Sequence, residues 1–129
     1  MSNDNRQHAR LSVPKYYTGG SFHLIDGERK YHYIRANDVC VEGIGLDVPS
    51  AIEQGSQVKV CFTSGGWRTD LDGTVMWCAR SDRVGGVSQK SYKNFRVGIR
   101  LNPGNSQDNA LLYSTLRDGL EQGQPKRLA

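Results

Sequence analysis

The chain has 129 residues and a mass of 14.4 kDa, the size of one domain with one core. Hydrophobic residues make up 36% and charged residues 23%, the balance of a small domain with a polar surface. No apolar run approaches the roughly 18 residues that a membrane helix needs, so membrane insertion is not expected, and a net charge of +4 is too modest to make nucleic acid the default partner.

Met1 to Arg10 contains no apolar stretch, so no secretory leader is expected. Cys40, Cys61 and Cys78 are odd in number and widely spaced, which argues against a disulfide framework or a zinc site and for a reducing, cytoplasmic setting. Positive charge gathers late in the chain. Arg80, Arg83, Lys90, Lys93, Arg96 and Arg100 face a single acid, Asp82. Such a stretch attracts anions in general, but it also fits a solvated barrel face and hairpin.

Residues 1–14 are polar and aperiodic and end at Pro14, the pattern of a mobile arm. A β-forming run from Tyr16 to Ile25, interrupted at Gly19-Gly20, meets a second from Lys30 to Ala36 across Asp26-Gly27, which predicts a hairpin. Asp38 to Val48 is expected to continue as a strand, with Gly43 and Gly45 allowing a bulge or a close backbone approach. Gly55-Ser56 turns into Val58–Phe62. Ser64-Gly65-Gly66 and Asp72-Gly73 are expected to punctuate the next two strands, the second being Thr74–Ala79. After a long basic loop from Arg80 to Lys93, Phe95, Val97, Ile99 and Leu101 alternate with Arg96, Gly98 and Arg100, a half-buried strand. The helical pattern comes last, with Leu112, Leu116 and Leu120 four residues apart, Ser106 or Asp108 as the cap and Gly123 beyond. About six short strands with glycine turns and one terminal helix predict an all-β, small closed antiparallel barrel. The expected organisation is an arm over 1–14, a barrel over 15–103, a helix over 104–123 and a tail over 124–129.

Two short motifs carry chemistry. Arg6 and Arg10 place two guanidinium forks four residues apart on the arm, and Asp38-Val39-Cys40-Val41-Glu42-Gly43 places a carboxylate, a thiol and a glycine at a strand end. A guanidinium meets the O6/N7 acceptor pair of guanine bidentately, and a carboxylate accepts from guanine N1–H and N2–H. Together they point to a receptor for a guanine dinucleotide. Each residue also has a bland reading: Arg6 and Arg10 as surface cations, Asp38 as a turn cap, Gly43 as a bulge residue, Cys40 as a small buried side chain. His8, inside the arginine motif, could touch a phosphate or simply be solvated. Trp77 could be a core or rim aromatic or a stacking surface. No glycine-rich phosphate loop, carboxylate pair or metal-ligand cluster is visible, so no enzyme is expected. A nucleophilic Cys40 would need a base, and no spacing ties His8, His23 or His32 to it.

With these residues the chain resembles the PilZ domain family, whose pattern is Arg-x-x-x-Arg near the N-terminus followed on the barrel by Asp/Asn-x-Ser-x-x-Gly. Arg6, Arg10, Asp38 and Gly43 match, and Cys40 stands where the family has serine, a weaker donor in place of a hydroxyl. Val58–Phe62, Gly73–Trp77 and Val97–Leu101 extend the resemblance over roughly residues 6 to 101. It implies a six-stranded PilZ-type barrel with a C-terminal helix, and cyclic di-GMP as ligand at Arg6, Arg10, Asp38, Cys40 and Gly43. His8 and Trp77 are further contacts, and no other cofactor is implied. It also implies a bacterial sensor whose arm closes over the ligand and presents a new surface to a downstream protein partner, as a monomer or a homodimer. Two alternatives stay open: a PilZ-like adaptor that has lost the ligand, and a small barrel that binds nucleic acid through the basic stretch.

Overall fold

In a computed structural model the described residues are 10–14, 17, 19–81 and 94–123. Their strands are β1 (Leu11–Ser12), β2 (Ser21–Asp26), β3 (Arg29–Cys40), β4 (Gly43–Val48), β5 (Gln57–Ser64), β6 (Trp67–Arg80) and β7 (Phe95–Leu101). A 3-10 turn at Pro103–Asn105 leads into one helix, α1 (Ser106–Gly123). All pairings are antiparallel. Strands run in the order β3-β2-β5-β6-β7-β4, and β4 pairs back onto β3, so six strands form a closed barrel. Closure leaves none of the six with a free edge along its whole length. The two-residue β1 pairs with β3 from outside that cycle.

The long strand β3 makes closure possible. Its first half pairs with β2 and its second with β4, and each half carries an irregularity. Against β2 the register shifts between Phe22 and Leu24, where Tyr33 takes a left-handed φ of 55°. Against β4 it shifts between Ala36 and Asp38, leaving Asn37 as the extra residue. Bulges add local twist and bend a strand around a barrel corner.

Alternation fills the interior. Leu24, Leu46, Val60, Phe62, Leu71, Val75 and Val97 are fully buried, and the Phe22 and Phe62 rings meet at 4.8 Å between centroids. Leu112 and Leu116 on α1 are also fully buried in this same core, so the helix is welded to the barrel through one apolar stripe.

Two expectations about strand limits change. Asp38 to Val48 is the end of β3, a turn at Val41-Glu42 and β4, rather than one strand. Neither turn residue has positive φ, and the turn has no Asn-Gly or Asp-Gly, so the sequence carries no hairpin signal there. Asp72-Gly73 does not break a strand, because β6 runs unbroken through it. Gly73 answers a packing need: a Cβ there would stand 2.6 Å from Ile99 Cγ2 and 2.9 Å from the Arg100 carbonyl. By contrast β7 has the limits of the predicted alternating strand, with Val97, Ile99 and Leu101 inward.

The orientation of α1 is open to a direct check by chemical denaturation. Leu112→Ala should lower stability by about 2–5 kcal/mol through the cavity it leaves, whereas Leu111→Ala, on the exposed face, should change it by less than about 0.5 kcal/mol. Equal losses would mean that the helix does not pack as described.

Candidate functional site

The residues singled out in the sequence converge through strand register. Val39, Ile44, Ile99 and Val75 are cross-strand partners on β3, β4, β7 and β6, and all four are buried in the core. They form an inward apolar row. Because successive residues alternate faces, the rows on either side present outward. One is Asp38, Gly45, Gly98 and Trp77, and the other is Cys40, Gly43, Arg100 and Thr74.

In the first outward row two glycines lie between a carboxylate and an indole. A Cβ on Gly45 would stand 2.5 Å from Asp38 Oδ1, and one on Gly98 would run into the Trp77 ring. Both side chains therefore lie down over bare backbone and cover it. A further bulge, on β6, makes this possible: register slips between Val75 and Trp77, so Met76 is extra and both Met76 and Trp77 reach the surface. They are 44% and 47% exposed, an uncommon amount of apolar area to leave in solvent.

The bulge at Asn37 is pinned by a polar network. Asp47, buried on β4, accepts from Asn37 Nδ2 at 2.8 Å and from Arg35 Nη1 and Arg96 Nε at 3.4 Å each. Arg96 Nη2 in turn donates to Asn37 Oδ1 at 3.4 Å. A buried carboxylate is tolerated because these donors replace its water. The network fixes the extra residue, and the extra residue sets Asp38 opposite Gly45.

The arm enters beside this row. Leu11 and Ser12 pair with Val39 and Asp38, the Val13 amide donates to the Asn37 carbonyl at 2.9 Å, and Val13 is buried. Arg10 is thereby delivered to Asp38, and its Nη1 donates to Oδ2 at 2.7 Å. That hydrogen bond, reinforced by the carboxylate's charge, pushes the Arg10 pKa up from its already high value. The pair is half exposed, which limits it to about 1 kcal/mol or less. A ligand can compete for either partner at that cost.

Together these groups line a cleft of about 600 Å³, within the usual size of small-molecule sites. Arg10, Asp38, Cys40, Gly43 and Trp77, all expected from the sequence, border it, and Pro103, Ser106 and Asn109 supply a wall from the 3-10 turn and α1. Cys40 is 8% exposed yet lies outside the apolar core, on the same side of β3 as Asp38. Gly43 has a structural reason of its own, because a Cβ there would come within 2.8 Å of the Ile99 carbonyl. Arg6 and His8 lie outside the described residues, as do Arg83, Lys90 and Lys93 of the basic stretch.

Sequence reasoning did not place Gly45, Gly98, Met76, Arg100 or Asn109 at the site. Alternation along β7 put Arg100 outward, but only the β4–β7 register sets it beside Gly43. A nucleophilic role for Cys40 finds no base among the described histidines. His23 and His32 hydrogen-bond to each other at 3.3 Å, and neither borders the cleft. Among the described residues there is no cluster of three or more His, Cys, Asp or Glu that could hold a metal, and no helix long and apolar enough to cross a membrane.

No family model matches the chain, and no curated protein matches it. Its structure does match a solved one, the PilZ domain with c-di-GMP of YcgR from Escherichia coli, with a TM-score of 0.65 over 92% of this chain and 96% of that one. Sequence identity over that match is 16%, so the likeness is one of architecture. The six-stranded closed barrel with its C-terminal helix is the PilZ fold, as the two motifs implied.

Proposed function

We propose that the chain is a cyclic di-GMP receptor that binds the dinucleotide without transforming it and passes its presence to a protein partner. The observation that carries this reading is the outward row across four strands. Asp38 and Trp77 lie over glycine backbone at its two ends, with Arg10 already at Asp38. A carboxylate beside a bare floor suits the N1–H and N2–H edge of guanine. The exposed indole offers a stacking surface, worth about 1–3 kcal/mol per base. Arg10, which now donates one Nη1–H to Asp38, can turn its fork to O6/N7 or to a phosphodiester oxygen. The fold likeness to a PilZ domain solved with c-di-GMP supports the same ligand.

In this reading the Arg10–Asp38 pair is a latch. Ligand entering the cleft takes over both partners, and the arm bearing Arg6 and His8 closes above it, changing the surface offered to the partner. A segment that orders on binding is a common way to build such a signal. The adaptor alternative draws on two observations, the pairing of Arg10 with Asp38 and the thiol at Cys40. It predicts the same fold with no dinucleotide affinity. The nucleic-acid alternative is weakened at Arg96, which is committed to Asp47 and Asn37.

Titration calorimetry separates the three. Cyclic di-GMP should bind and cyclic di-AMP should not, because adenine presents an acceptor at N1 and a donor in place of O6, losing about 1–3 kcal/mol per guanine-reading group. Arg10→Ala and Asp38→Ala should each weaken binding at least about tenfold, or roughly 1.4 kcal/mol, while neutralising Lys90 and Lys93 should matter far less. Equal affinity for the two dinucleotides, or dominance of the lysines, would reject the receptor reading.

The thiol gives a second test on the same instrument. Cys40→Ser should leave the fold intact and tighten cyclic di-GMP binding by about 1 kcal/mol, the scale of one improved hydrogen bond, and selective alkylation of Cys40 should hinder it. Unchanged affinity in both cases would place the side chain outside the contact.

A further inference from the structure

The cleft has a second polar edge that the two motifs do not account for, on β7 and α1. Arg100 is exposed beside Gly43, borders the cleft, and has no hydrogen-bond or ion-pair partner among the described residues. Asn109, on the first turns of α1, also borders the cleft but is only 3% exposed. Its Nδ2 donates to the Asn102 carbonyl at 3.3 Å, which fixes which way the carboxamide points. Its Oδ1 is then buried with no partner. Buried acceptors in native proteins are nearly always satisfied, so the unpartnered, covered Oδ1 of a residue that borders the cleft is the group on this wall most in need of a donor.

The backbone of the helix start does not play this part. The Gly104 amide donates to Asn102 Oδ1 and the Asn105 amide to the Asn102 carbonyl, each at 2.9 Å, and the Ser106 amide donates to the Pro103 carbonyl. With these amides spent on the 3-10 turn, anion binding on this wall falls to the Arg100 side chain. Arg100 lies on β7, two strands over from the β3 that carries Asp38 and Cys40, a separation of about 10 Å. One nucleotide half held at Asp38 would therefore leave the other half within reach of β7 and α1.

We infer that Arg100 and Asn109 form a second recognition edge that takes the far half of a cyclic dinucleotide, a phosphodiester at Arg100 and a guanine N–H or ribose hydroxyl at Asn109 Oδ1. The inference rests on the receptor reading and extends it. A ligand so held touches the arm, the barrel and α1 at once, and makes the seating of the helix sensitive to occupancy.

Calorimetry of the full chain with cyclic di-GMP tests it, with thermal unfolding of each variant as the fold control. Arg100→Ala should weaken binding by about tenfold or more. Arg100→Lys should recover only part, since an ammonium cannot reproduce the fork, and Lys30→Ala, a remote exposed cation, should bind as the unaltered chain does. Asn109→Ala should also weaken binding. Because its amide supports Asn102, the comparison is with Asn109→Ser, which keeps an acceptor there in an uncharged hydroxyl and should bind more tightly than Asn109→Ala. If Arg100→Ala and Asn109→Ala both bind as tightly as the unaltered chain while Arg10→Ala does not, the second edge is wrong and the receptor reading stands. If the unaltered chain binds no cyclic di-GMP, both fall. If Lys30→Ala weakens binding as much as Arg100→Ala, the effect is general charge and the second edge is again rejected.

Discussion

Register is the constraint on which the site depends. A one-residue slip on any of β3, β4, β7 or β6 would turn Asp38, Gly45, Gly98 or Trp77 into the core and bring an apolar residue out. The inward row of Val39, Ile44, Ile99 and Val75 forbids this, since each is buried in the same cluster. Hydrophobic burial thus aligns a polar site built largely from the alternate residues of the same strands. The stabilising row and the functional rows are interleaved one residue apart.

The two bulges beside the site, at Asn37 and Met76, make the rest of the adjustment, and they are held by different forces. At Asn37 the Asp47 network fixes the extra residue with hydrogen bonds to three side chains, a polar solution that would be costly to break because Asp47 is buried. At Met76 the bulge leaves two large apolar side chains in solvent, and only the bare backbone of Gly98 lets the indole lie flat. The first bulge positions the carboxylate and the second the aromatic. In the proposed receptor they determine the spacing between the group that reads a base edge and the group on which a base stacks. The ends of the same cleft belong to other parts of the chain, the arm through Arg10 and the helix through Asn109.

How far the sequence reveals this differs from residue to residue, for physical reasons. The alternation from Phe95 to Leu101 marks β7 because one face is wet and the other buried, and the four-residue leucine spacing marks α1 in the same way. Arg10, Asp38, Cys40 and Gly43 are legible as a chemical pattern. The turn at Val41-Glu42 is not, because it uses no residue that a turn requires, and without it Asp38 and Gly45 look like neighbours along one strand instead of partners across two. Gly73 misleads in the opposite sense: its missing side chain makes room for Ile99, yet glycine beside aspartate also signals a turn. Arg100 and Asn109 belong to the cleft through long-range register and through the return of α1 onto the barrel, neither of which leaves a local pattern.

The central claim, that one outward row of the barrel is the ligand floor, is tested most directly by following amide and indole resonances during a titration with cyclic di-GMP. The account predicts that the largest shifts fall on the backbone amides of Gly45 and Gly98 and on the Trp77 Nε1–H, with Val60 and Leu71 inside the barrel nearly unmoved. Shifts confined to residues 82–93, or spread evenly over the barrel with none at Gly45, Gly98 and Trp77, would contradict it.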